Sequence, residues 1–104
     1  MSGQSSSAAP THVEPAVFIA SLTDYVNGIL HGRWVSARQA VEELAAAVTE
    51  VLATSPWAAR TGEPAEEWII LDHEGFVGAT PDPHEALDDV TRLAEARDAG
   101  ERRW

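Results

Sequence analysis

The sequence predicts an α+β fold: a small three-stranded sheet with helices packed on it, in the order β-β-α-β-α. Three observations carry that prediction. Runs rich in Val, Ile, Phe and Trp occur at 16–22, 29–36 and 67–72. Two longer stretches repeat apolar residues at helical spacing and open on capping signals. The chain has 104 residues and no cysteine, and no apolar run approaches the ~18 residues of a membrane span. One small core, without disulfides, is therefore expected.

Each element has its own local reason. The opening MSGQSSSAAPTHVEP is rich in Ser, Ala, Gly and Pro, so residues 1–15 read as a disordered tail. It has neither the basic region nor the apolar core of a secretory signal, which makes a cytoplasmic location the expectation. AVFIASL (16–22) is apolar on both faces and reads as a covered strand. Residues 23–27 suit a turn or one helical turn, and Asn27-Gly28 tolerates the positive φ that a reversal needs. ILHGRWVS (29–36) then alternates, with Leu30, Gly32 and Trp34 on one face and Ile29, His31, Arg33 and Val35 on the other. A glycine between two large apolar groups lets a neighbouring backbone or ring come close.

Ser36-Ala37-Arg38-Gln39 fits a capping box, followed by Val41, Leu44, Val48, Val51 and Leu52 at helical spacing. Ser55-Pro56 should end that helix, because a residue before proline avoids helical angles. PWAARTGEPA (56–65) reads as a loop, EWIILD (67–72) as the third strand, and HEGFVGATP as a turn region. Asp82-Pro83-His84-Glu85 predicts the start of the last helix, with Asp82 at the N-cap and an apolar stripe of Leu87, Val90, Leu93 and Ala94. Gly100 is its expected end. The chain thus divides into a tail (1–15), a single domain (16–99) and a frayed end (100–104).

Charge sets the function classes. The net charge is −10, and the chain contains arginine but no lysine. Almost all of the excess lies in residues 61–91, which hold Glu63, Glu66, Glu67, Asp72, Glu74, Asp82, Glu85, Asp88 and Asp89 and no Arg or Lys. Such a field repels nucleic acid and anionic membranes and attracts basic surfaces. On an unbroken last helix, Glu85, Asp88 and Asp89 would project from one side at i, i+3 and i+4. Run as a solvated face the acids need no function, but like charges side by side cost stability, so a cluster without arginines beside it hints at use.

The chemistry-bearing alternatives are weaker. Asp72, His73 and Glu74 are adjacent on a strand, so they alternate in direction and do not converge on one metal ion. The serines lack a nucleophile elbow, and Gly28, Gly32, Gly75 and Gly78 form no phosphate loop, with no lysine to clamp phosphate. No catalytic residue, cofactor or metal is expected. Trp34 and Trp68 read as core anchors, and Trp57 and Trp104 as partly exposed.

With the elements placed, a resemblance emerges. ASLTDYVNGILHGRWVSA, followed about 30 residues later by EEWIILDHEGF, is similar to the N-terminal half of the ArdA-type antirestriction proteins. The shared pattern is Tyr25, Gly28, Leu30, Gly32 and Trp34, then Glu67, Trp68, Asp72, Glu74, Gly75 and Phe76, within residues 16–80. The resemblance implies an acidic, non-enzymatic DNA mimic carried by bacterial mobile elements. It also implies a protein partner, a type I restriction-modification enzyme whose DNA-binding groove is occupied by distributed carboxylates. The nine acids from Glu63 to Asp89 are the candidate contacts, and Arg33 and Arg38 are expected to be structural or peripheral. Family members form their dimer contact in a later domain that DVTRLAEARDAGERRW does not match, so a homodimer is a possible state only. The alternative, from another class, is a small acidic adaptor or anti-regulator that binds one protein partner and does not compete with DNA.

Overall fold

The computed structural model describes residues 14–76 and 79–102. Most of the expected tail, and the last two residues with Trp104, lie outside them. The described elements are β1 (Ala16–Ser21), α1 (Leu22–Val26), β2 (Gly32–Ser36), α2 (Val41–Ala53), α3 (Pro56–Thr61), β3 (Trp68–Glu74) and α4 (Leu87–Arg102). The fold is α+β, as predicted, with two short helices added to the expected order.

The sheet is antiparallel, with strand order β2-β1-β3. Central β1 pairs Phe18 with Trp34 of β2 and with Asp72 of β3. Gly32 faces Ala20. A Cβ there would meet the Ile19 carbonyl oxygen and come within 2.8 Å of the Ala20 Cα, so the glycine is what lets β2 close onto the central strand. The expected reversal at Asn27-Gly28 is present, with Gly28 at φ 83°. Strand β2 starts at Gly32 rather than Ile29, because the preceding residues complete the turn: the Ile29 N–H is spent on the Asp24 carbonyl.

One face of the sheet carries the core. Val17, Ile19, Val35 and Ile70 meet Leu44, Ala47 and Val48 of α2 and Val90 and Ala94 of α4. Trp68, Phe76, Leu52 and Leu87 pack around this cluster. Both long helices therefore lie on the same side.

Several further boundaries differ from expectation. Ser36 remains in β2, and its hydroxyl accepts from the Arg38 N–H (3.2 Å) in a tight turn. Helix α2 begins four residues later, with Ala40 at the cap: Glu43 accepts from the Ala40 N–H (3.2 Å), while alanine has no oxygen for the reciprocal bond. The expected loop at 56–65 contains α3. Ser55 caps it, Pro56 occupies its first turn and Gly62 ends it at φ 82°, the combination that favours even one helical turn. Strand β3 runs past Asp72 to Glu74.

One more difference bears on the acids. The turn at Asp82–Glu85 forms, with the Glu85 carboxylate accepting from the Asp82 N–H (2.9 Å). Helix α4 nonetheless starts only at Leu87. The Pro83 carbonyl, which a helix begun there would pair with residue 87, accepts instead from the Ile70 N–H of β3 (2.8 Å). Gly100 does not end α4, which continues to Arg102.

Candidate partner-binding surface

The nine carboxylates sit in three groups. Glu63, Glu66 and Glu67 are exposed on the α3–β3 connection. This segment is held at both ends: Thr61 Oγ accepts from the Glu63 N–H (3.2 Å), and the Glu67 carbonyl accepts from the Leu22 N–H (2.9 Å). Asp72 and Glu74 form the second group, exposed at the end of β3 opposite Phe18 and Ala16. Asp82, Glu85, Asp88 and Asp89 form the third, around the start of α4.

A bulge decides where Asp72 points. Ile70 faces Ile19 in the core, and strict alternation would put Asp72 on that same buried side. Instead the register shifts by one residue between Phe18 and Ile19, leaving Leu71 without a partner of its own. Asp72 is thereby turned to the face away from the helices, in line with Phe18 and Trp34. Residues of α4 and of β3 thus display acids on opposite sides of the sheet. The nine carboxylates thus stand in groups on two faces.

The third group also departs from expectation. Glu85 precedes α4, so it does not share a helical face with Asp88 and Asp89. Arg92 pairs with Asp89 (2.5 Å) and reaches Asp88 (3.8 Å), so the acids here are not free of guanidinium compensation. Both pairs are largely exposed and weakened by solvent. Glu85, Asp89 and Arg92 line an open depression of about 490 Å³ with Thr80 and Leu93. No arginine among the described residues pairs with Glu63, Glu66, Glu67, Asp72, Glu74, Asp82 or Glu85. Arg33 pairs with Glu50 of α2, and Arg38 pairs with Glu14 (2.5 Å).

Two features escaped sequence reasoning. Trp34, expected in the core, is 44% exposed and stacks edge-on against Phe18, with ring centroids 5.6 Å apart. It belongs to the sheet face that none of the described helices covers. The second feature is Asp24, fully buried and in none of the predicted contacts. Its carboxylate accepts from the Ser55 hydroxyl (2.5 Å) and the Trp57 N–H (2.9 Å). Burial alone would raise its pKa. Hydrogen bonds from Ser21, Ser55 and Trp57, with the nearby His31, outweigh that and hold it below the usual 3.8. Asp24 thus fastens α1 to the start of α3. The spacing Ser21-Leu22-Thr23-Asp24 was the available signal, since it reads as a capping box. Ser21 does accept from the Asp24 N–H (3.2 Å), but the Asp24 carboxylate reaches Ser55 instead of closing the box.

Comparison with known families decides what this surface belongs to. The family model for the antirestriction protein ArdA matches residues 17–103. The chain belongs to the ArdA antirestriction family. No curated protein and no solved structure matches it. The ArdA match runs past residue 80, where the sequence resemblance stops, and takes in α4. Within ArdA terms the residues carrying the resemblance have distinct roles here. Gly28 turns the chain, Gly32 admits the central strand, Trp68 packs on the core, and Trp34 and Asp72 share the open face. Antirestriction implies a protein partner among restriction-modification enzymes. Among the described residues no group of three or more His, Asp or Glu could hold a metal ion, and no helix is long and apolar enough to cross a membrane.

Proposed function

We propose that this chain inhibits type I restriction-modification enzymes by occupying their DNA-binding groove with surface carboxylates, without catalysis. The observation that carries this reading is the nine acids of residues 61–91 with no Arg or Lys among them, in a member of the ArdA family. Each of the nine is exposed or half-exposed. B-DNA carries about one negative charge per 1.7 Å of axis, so a net charge of −10 corresponds to roughly 17 Å, about five base pairs. One copy imitates a short length of duplex; a homodimer or several copies would imitate more. Placement of the acids on two sides of the sheet is compatible with this role, because a duplex also shows phosphates around its circumference. Attraction of this kind speeds association at low salt and fades as salt rises.

The test is transfer of unmodified plasmid into a restricting host with and without the chain, together with competition against DNA for a purified type I enzyme. Protection of the plasmid and displacement of DNA, both declining with salt, are the expected results. Three separate reversals to Lys (Glu63/Glu66/Glu67, Asp72/Glu74 and Glu85/Asp88/Asp89) show which group makes contact. If none of them weakens inhibition, the carboxylate surface is not the one used. Binding to the enzyme that leaves DNA in place would instead support the adaptor reading.

A further inference from the structure

The sheet face that carries no helix among the described residues is not a bare acidic surface. Phe18, Leu30, Trp34, Leu71 and Asp72 line an open depression of about 310 Å³ on it. Leu30 is 71% exposed and Trp34 is 44% exposed, a notable cost for apolar side chains in a chain this charged. Trp34, Phe18 and Asp72 come from three adjacent strands and stand in one cross-strand row. Adjacent strands lie about 4.8 Å apart, so Trp34 and Asp72 are separated by roughly 10 Å at the backbone, with Phe18 as the floor between them.

We infer that this depression takes an arginine side chain of the protein partner, as an anchor within the otherwise Coulombic contact. The inference rests on the reading above that the partner presents a surface made for phosphates. Arginine fits the lining better than any other side chain. Its aliphatic stem packs on Phe18, Leu30 and Leu71, while its planar guanidinium lies against the Trp34 ring and donates to the Asp72 carboxylate. Lysine offers a point charge and no plane, so it gains less from the ring. Among the described residues no arginine lines the depression, and Arg33, in the neighbouring strand position to Trp34, is held by Glu50 over the opposite face. Charge complementarity also argues against a second copy as the occupant. Face-to-face association would bring Asp72 and Glu74 against the acids of another molecule of net charge −10.

The mechanism differs from general charge attraction in what it predicts. Screening by salt weakens the surrounding carboxylates, whereas an arginine stacked in an apolar depression is partly shielded. A hot spot of this type also discriminates between partners that carry the same charge with different side chains.

The experiment titrates the full chain, labelled with ¹⁵N, with three capped tripeptides: Gly-Arg-Gly, Gly-Lys-Gly and Gly-citrulline-Gly. The arginine peptide should produce saturable shifts at the Trp34 indole N–H and the Asp72 amide. The lysine peptide should bind several-fold more weakly and citrulline, which keeps the shape without the charge, should leave both signals in place. Asp72→Asn should weaken the arginine peptide about tenfold, and Trp34→Leu, which keeps an apolar wall, should also weaken it. Leu30→Ala, at an exposed position, gives a third variant should either of these alter the fold. Equal shifts with citrulline overturn the inference, as do arginine-induced shifts no larger at Trp34 than at Glu63, Glu66 and Glu67. A Trp34 signal that moves with protein concentration alone assigns the face to a second copy and overturns it too. Loss of peptide binding with DNA competition intact removes this anchor and leaves the inhibitor reading. Peptide binding without DNA competition removes the inhibitor reading and leaves a site for arginine.

Discussion

Replacing Asp24 by alanine is expected to destabilise this chain more than any change to its charged surface. The carboxylate is wholly buried and accepts two hydrogen bonds from α3 and its cap, the Ser55 hydroxyl at 2.5 Å and the Trp57 N–H at 2.9 Å. In Asp24→Ala both donors lose their acceptor in a place water does not readily reach. An unsatisfied buried group costs about 1–3 kcal/mol, and the bonds to a charged acceptor are at the strong end, so the expected loss is about 3–5 kcal/mol. Small domains are stabilised by only about 5–15 kcal/mol in total, so this is a large share. Urea unfolding followed by tryptophan fluorescence measures it, and the midpoint of thermal unfolding should fall by at least ~12 °C. Asp24→Asn keeps one acceptor and should lose less.

The pH dependence of the same pair gives a second check. The folded pKa of Asp24 lies below its ordinary 3.8, so its charge stabilises the fold above the unfolded pKa. That contribution disappears as pH falls through the folded pKa. The stability gap between the native chain and Asp24→Asn should therefore be full near about pH 6 and shrink as pH falls below 3.8. If Asp24→Ala unfolds within about 0.5 kcal/mol of the native chain, the size of an ordinary surface substitution, the buried tie between α1 and α3 is not what holds them.

Other expectations follow from the same geometry. Gly32→Ala should cost about 1–3 kcal/mol in urea unfolding, because the added methyl meets the backbone of Ile19 and Ala20 in the central strand, which has nowhere to move. Ser55→Ala removes both the cap of α3 and a donor to Asp24, and should cost about 1–3 kcal/mol by the same assay. Arg92→Ala breaks exposed pairs worth at most ~1 kcal/mol, so stability should barely change. It also releases Asp88 and Asp89, and DNA competition should strengthen if that group touches the restriction enzyme; unchanged competition would assign contact to the other two groups.

The local signals were legible because they act within a few residues. Short runs of β-branched and aromatic residues marked the strands, and Asn27-Gly28 marked a reversal that Gly28 makes at positive φ. The spacing of Leu44, Val48 and Val51 marked a helix whose face is buried, and it is. Gly32 announced a close approach, and the central strand is what approaches. The concentration of acids in residues 61–91 was likewise fixed by composition alone.

What the chain could not reveal by local pattern was which long-range partner would claim each group. Pro83 fits the first position of a helix, yet its carbonyl is taken by Ile70, and α4 begins later with Glu85 left behind. Trp34 has the bulk of a core residue, but both long helices pack on the other face of the sheet, so its face stays open. Asp72 alternates in register with buried Ile70 and would face the core, until one unpaired residue in β3 turns it outward. Strand periodicity is a property of neighbours in sequence; the side of the sheet that is covered, and the residue where two strands lose step, are set by pairing across tens of residues. Composition therefore determined how much negative charge this protein carries, and only tertiary packing decided which faces display it and what apolar surface stands beside it.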